Sequence, residues 1–243
     1  MPVNHLFFRM AYTAATTSLA IRLINSWTLN LQAFALTRVR LEQFIICSYI
    51  IHEDESIGLD KFAQYMPIQR YKGMKVAMEN NSLREHLKNF RDLDELKEDA
   101  IKAQQEFMPG FSCENDKFER SWTKLSLRSL AKKRDSLVPA DPLMKHPLER
   151  EYLSVYKVAC SIIHADCDSL SYNFIDFFQS PSGKPVLMPL PSLAFNVAAC
   201  TAHYDIVQCY EVLNRVGIPP AREYHDLMKQ WFNVRDKFKN KKA

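Results

Sequence analysis

Apolar residues recur every three or four positions through most of this chain, the period of a helix with one buried face. Leu19, Leu23, Trp27, Leu31, Phe34 and Leu41 carry that period through residues 4–52. They predict two helices with a break near Asn25–Asn30. Residues 57–73 hold Gly58, Pro67 and Gly73 and read as a connector with a short helix. Arg70–Glu106 reads as a long solvated helix or helix pair, with a narrow stripe of Leu83, Leu87, Phe90 and Leu93. Pro109-Gly110 ends it. A further helix is expected over Lys117–Asp135, with Phe118, Trp122 and Leu125 inward. Leu148–Cys167 follows, with Tyr152, Val155, Tyr156, Ala159 and Ile163 in phase. Residues 180–191 are Pro-rich and read as a loop. Leu193–Val216 is apolar nearly all round, which predicts a central helix. Gly217 and Pro219-Pro220 supply its stop. Ala221–Phe238 is expected as an amphipathic helix with Tyr224, Leu227, Met228, Trp231 and Phe238 inward.

Composition narrows the fold class. There are 5 glycines in 243 residues, against a usual share of roughly 7%. A G-x-x-x-x-G-K-[ST] phosphate loop and a G-x-G-x-x-G dinucleotide turn are both absent. The expectation is an all-α protein: one helical-bundle domain of seven to nine helices over residues 1–234, followed by a basic, flexible tail over 235–243. Net charge is +4, from 32 basic and 28 acidic residues, and the tail accounts for all of it. The body is therefore balanced, and any phosphate affinity has to come from local arrangement. The cysteines are Cys47, Cys113, Cys160, Cys167, Cys200 and Cys209, with no C-x-x-C pair. With no signal peptide read, they are expected to be reduced thiols of a cytoplasmic chain. No window is apolar enough for a membrane span.

Four constellations carry candidate chemistry. Arg38 and Glu42 stand four apart on one helix, with Tyr49 two turns on, and a carboxylate that fixes an arginine makes a preorganised anion clamp. The plain alternative is a surface ion pair. Ser161 and His164 lie on adjacent turns, where a histidine serves as a general acid or base or positions a phosphate. The alternative there is a histidine held by one hydrogen bond. Lys117, Arg120, Lys124 and Arg128 would share a basic face with Trp122 between them, or simply form a solvated face. His164-x-x-Cys167 and Cys200-x-x-His203 resemble two zinc half-sites, but both lie on apolar helices where cysteine packs as a small core residue.

Three stretches in order resemble a bacterial helical family, domain-of-unknown-function family 5677. They are Arg38-Val-Arg-Leu-Glu42 with Tyr49, then Trp122-Thr-Lys-Leu-Ser-Leu-Arg128, then Tyr152-x-x-x-Tyr156-x-x-x-x-Ser161-x-x-His164. Ala165 stands where a glycine is usual. The resemblance implies an all-helical domain in which Arg38, Glu42, Trp122, Arg128, Tyr156, Ser161 and His164 gather at one place. The layout is also loosely similar to HEPN-type ribonucleases of bacterial defence and toxin systems. Their arginine–histidine motif on one helix is absent here, so the partner of His164 would be Arg38 or Arg128 in space. The leading expectation is metal-independent RNA cleavage. His164, Arg38, Glu42 and Arg128 would be catalytic, and Trp122, Tyr156, Ser161 and Tyr49 would bind substrate. The alternative is a non-catalytic helical module for a partner protein or a small phosphate-bearing ligand. No cofactor and no metal is expected. The candidate partners are RNA, a second copy of the chain or another protein, and no membrane.

Overall fold

The computed structural model describes residues 3–27, 29–53, 55–79, 92–107, 118, 121–138, 147–163 and 191–240. Every element among them is a helix. We number these α1 (Val3–Ser26), α2 (Asn30–His52), α3 (Glu55–Glu79), α4 (Leu93–Phe107), α5 (Leu127–Leu137), α6 (148–163), α7 (Pro191–Arg215) and α8 (Arg222–Asn240). The all-α expectation holds.

The chain packs as two compact units. The larger unit holds Met1–His52 and Leu127–Ala243, and so α1, α2 and α5–α8. At its centre is α2, which packs against α1, α5, α6 and α7. Its buried positions Ala33, Thr37, Leu41, Phe44, Ile45 and Ser48 repeat at three and four residues and present a face to several neighbours. The break between α1 and α2 is tied by Asn30, whose Nδ2 donates to Asn25 Oδ1 at 2.7 Å. Asn25 in turn donates to the Ala194 carbonyl of α7. The central placement of α7 holds as well: Val197, Tyr204, Val207 and Val212 are buried. It stops at Gly217, whose φ of +72° is left-handed and open to glycine at little cost. Ile218 N–H then closes back onto Leu213 O at 2.9 Å.

The second unit spans Glu53–Ser126. Here α3 packs on α4 through Leu59, Tyr65, Ile68, Leu96, Ala100 and Ala103. Tyr71 meets Phe118, and Phe62 meets Trp122 edge-on with ring centroids 5.4 Å apart.

Several boundaries differ from the periodicity. The expected connector over 57–73 is instead the middle of α3, which accommodates Pro67 inside the helix. The helix expected from Lys117 starts only at Leu127. Before it, Thr123 Oγ1 accepts the Leu125 N–H at 3.1 Å, a local turn that competes with helix. The basic face is therefore not formed as read, since Lys124 precedes the helix that carries Arg128. Lys117 and Arg120 lie outside the described residues. Ile163 and Leu227, expected inward, are exposed. Leu227 gives way to Met228, which is buried on the inner face of α8. Helix α8 runs to Asn240 and so takes in six residues of the expected tail. Leu83, Leu87, Phe90, Cys167 and residues 180–190 of the Pro-rich loop lie outside the described residues. No helix among the described residues is long and apolar enough to cross a membrane.

Candidate functional site

Within the larger unit, α2 and α6 bring Arg38, Glu42 and Tyr156 together. The Tyr156 hydroxyl donates to Glu42 Oε1 at 3.2 Å. The Arg38 guanidinium lies over the Tyr156 ring, 4.9 Å from its centroid. Tyr152 stacks on Tyr156 within α6, with centroids 4.8 Å apart and planes within 17°. Arg38, Glu42 and both tyrosines are only partly buried. Burial works against the Arg38 charge, but Tyr156, Cys160 and Glu42 outweigh it and raise its pKa. Burial and the Glu42 carboxylate likewise raise the Tyr156 phenol, so it remains a hydrogen-bond donor. The result is a charged guanidinium held over the face of a ring, with a carboxylate anchoring that ring.

This geometry falls on an irregular stretch of α6. Tyr152–Tyr156 is one π-helical turn, in which the Lys157 N–H reaches the Tyr152 carbonyl five residues back. Such turns often accompany functional positions. The start of α6 is fixed from α5: the two Asp135 carboxylate oxygens accept the Leu148 and Glu149 N–H groups, each at 2.9 Å. That bond pair satisfies donors that a helix N-terminus leaves open.

Arg128, Tyr49 and Trp122 have partners outside that cluster. Arg128 sits at the start of α5 and pairs with Glu149 at 2.9 Å, its side chain 55% exposed. Tyr49 is buried in α2, and its hydroxyl accepts from Lys133 Nζ at 3.2 Å. Trp122 belongs to the second unit, where it is buried against Phe62. Ser161 lies in the last turn of α6, but its side chain is outside the described residues. His164 is outside them altogether.

Two polar clusters escaped the sequence reading. In the first, Glu211 Oε1 of α7 meets Arg134 Nη2 at 2.5 Å, Ser48 Oγ at 2.9 Å and His52 Nε2 at 3.2 Å. Arg134 Nε also donates to Ser48 Oγ at 2.7 Å. Burial opposes ionisation of Glu211, yet His52, Arg134 and Ser48 together hold its carboxyl below the usual range. In the second, Arg40 Nε donates to Asp205 Oδ1 at 3.0 Å and to Ser18 Oγ at 3.1 Å. Arg22 Nη2 takes Asp205 Oδ2 at 2.9 Å. A signal for Arg40 was present: it stands seven residues after Ala33 and four before Phe44, in the buried phase of α2. Arg134, four residues after buried Leu130, and Glu211, four after buried Val207, carried the same signal of phase, but their partners lie on other helices.

Nucleophilic cysteine finds little support. Burial pushes the Cys47 and Cys200 thiols up to about 12, far from the thiolate that such chemistry requires. Cys47, Cys160, Cys200 and Cys209 are unbridged. Among the described residues no group of three or more His, Cys, Asp or Glu is placed to hold a metal ion. His203 of the expected zinc half-site accepts a hydrogen bond from Trp231 Nε1 at 3.1 Å.

The fold and site thus define a class: an all-helical protein whose motif arginine and glutamate are joined through a tyrosine on a neighbouring helix. The family comparison agrees, for a family model matches residues 4–182. The chain belongs to the family of unknown function DUF5677. Comparisons with curated proteins and with solved structures give no match.

Proposed function

We propose that this chain is a non-catalytic helical module that captures a small phosphate-bearing ligand at Arg38. The observation that carries the reading is the Arg38–Tyr156–Glu42 arrangement. The ring and carboxylate restrain the guanidinium before any ligand arrives, which lowers the ordering cost of binding. They leave it partly exposed to accept an anion through its fork of N–H donors. Calorimetric titration with inorganic pyrophosphate and with AMP tests the reading. Saturable binding by the wild type, weakened at least tenfold in Arg38→Ala at unchanged melting temperature, is expected. Absence of binding by folded wild type, or equal binding by the variant, overturns it.

A second reading draws on the same contact. Tyr156 and Cys160, which both act on Arg38, stand four apart, and His164 follows at the same interval in the sequence. His164 would move a proton, Arg38 would stabilise charge developing at phosphorus, and Glu42 would help hold Arg38, which is metal-independent RNA cleavage. Mixed RNA incubated with wild type and with His164→Ala decides between the two. RNA lost with the wild type alone favours cleavage, and RNA left intact by both favours capture.

A further inference from the structure

The outer side of α1 is apolar along most of its length. Phe8, Tyr12, Leu19 and Leu23, with Trp27 just past the helix end, are each 50% to 72% exposed. Phe8, Tyr12, Ala15 and Leu19 follow one another at four, three and four residues, the seam spacing of a helix that packs on another helix. The inner side is already used, for Phe7, Ala14 and Ile21 are buried where α1 packs on α2 and α7. An apolar side chain exposed singly needs no explanation, whereas a contiguous stripe marks an interaction surface.

The stripe matches a second copy of itself. With an aromatic ring counted at roughly 200 Å², it presents about 600 Å² per copy. Two copies face to face would remove about 1,200 Å² from water, the lower bound for a specific interface. Beside the stripe, a groove of about 550 Å³ is lined by Ala11 and Ala15 of α1 and by Cys209, Val212 and Leu213 of α7. One patch thus holds both projecting rings and a recess to receive them, which suits an interface between copies related by a two-fold axis. The seam residues carry no charge that would select an acidic or a basic partner. A lipid surface would call for a run of Lys and Arg along the flanks of the helix. The only Lys or Arg residues of α1 are Arg9 and Arg22, and Asp205 already holds Arg22.

We propose that α1 is a dimerisation helix, which pairs antiparallel with α1 of a second copy across a two-fold axis near Ala15. Ala15 lies close to the middle of Val3–Ser26, and its small side chain lets the two helices approach. Tyr12 then comes opposite the partner's Leu19, and Phe8 opposite the partner's Leu23. A parallel pair would set Arg9 against Arg9 and Arg22 against Arg22, whereas the antiparallel one keeps each arginine away from its twin. Side chains of the second copy fill the groove and cover Cys209, which is exposed in the single chain. No contact of Arg38 takes part, so the test does not depend on the reading above.

Sedimentation velocity of the full chain, over a series spanning the micromolar range, reads the association. A reversible dimer is expected for the wild type, as befits an interface of this area. Tyr12→Glu/Leu19→Glu places like charges on both sides of the seam at exposed positions. It should be a monomer throughout, with the helical content of the wild type by circular dichroism. Labelling of Cys209 by N-ethylmaleimide, followed by mass spectrometry, reads the same face without a substitution and decides the matter should the variant fail to fold. In the wild type it should slow at least fivefold between the dilute and the concentrated end of the series. A wild type that stays monomeric, a dimer that survives the double substitution, or Cys209 labelling independent of concentration overturns the proposal. So does a monomeric wild type that floats with phosphatidylserine vesicles while the double variant does not, which would assign the stripe to a lipid surface.

Discussion

Arg134 Nη2 and Glu211 Oε1 meet at 2.5 Å with neither side chain accessible to water. They join α5 to α7, and through Ser48 and His52 the same carboxylate holds α2. Glu211→Ala would leave a buried guanidinium without its main counter-charge, at a cost of about 3–5 kcal/mol. Urea denaturation should show the midpoint fall accordingly. The double variant Arg134→Met/Glu211→Leu should lose less than the two single losses combined. Strict additivity of the singles would mean that the pair is not coupled.

The same carboxylate predicts a pH dependence. Its folded-state pKa lies below the unfolded value, so the unfolded chain binds the proton more readily. The stabilisation is present above the ordinary glutamate pKa of about 4.3 and is lost as pH falls through the lower folded value. Chemical denaturation of wild type and Glu211→Gln from neutral pH into the acid range should show the gap between them narrowing below about pH 4. A constant gap across that range would contradict the assignment.

The helical phase of α2 was readable because its neighbours surround it and its apolar positions repeat without interruption. The break at Asn25–Asn30 and the stop at Gly217 were readable for a similar reason, since side-chain and backbone chemistry there is local. What the sequence hid is long-range. Arg38 is linked to Glu42 through Tyr156, more than a hundred positions away, and the i, i+4 spacing alone suggested a direct pair. Arg40 stood two residues from Arg38 in plain view, but its partners Ser18 and Asp205 come from α1 and α7. Pro67 misled the reading of α3, because packing on α4 outweighs one lost helical hydrogen bond.

The junction of α5 and α6 separates a surface pair from a cap. Arg128 and Glu149 bond in solvent, where such pairs contribute little. Arg128→Ala should change stability by no more than about 0.5 kcal/mol. Asp135 instead receives two N–H groups at the start of α6. Asp135→Ala should cost about 1–2 kcal/mol, in the range of a lost helix cap. Thermal melts of the two variants side by side check the contrast, and equal losses would refute it.

Tyr156 has two separable parts, and their removal distinguishes how Arg38 is held. Tyr156→Phe deletes the hydroxyl that donates to Glu42 and keeps the ring beneath the guanidinium. The lost hydrogen bond is partly exposed and should cost about 0.5–1.5 kcal/mol of stability. Pyrophosphate binding should persist within about threefold, since a cation over an aromatic face retains its attraction without the hydroxyl. Tyr156→Ala removes the ring as well, frees Arg38 to sample other rotamers, and should weaken pyrophosphate nearly as much as Arg38→Ala. Calorimetric titration of the three variants, with melting temperatures measured in parallel, gives the order. If Tyr156→Phe loses as much binding as Tyr156→Ala, the carboxylate link and not the ring positions the arginine, and Glu42→Gln should then reproduce that loss.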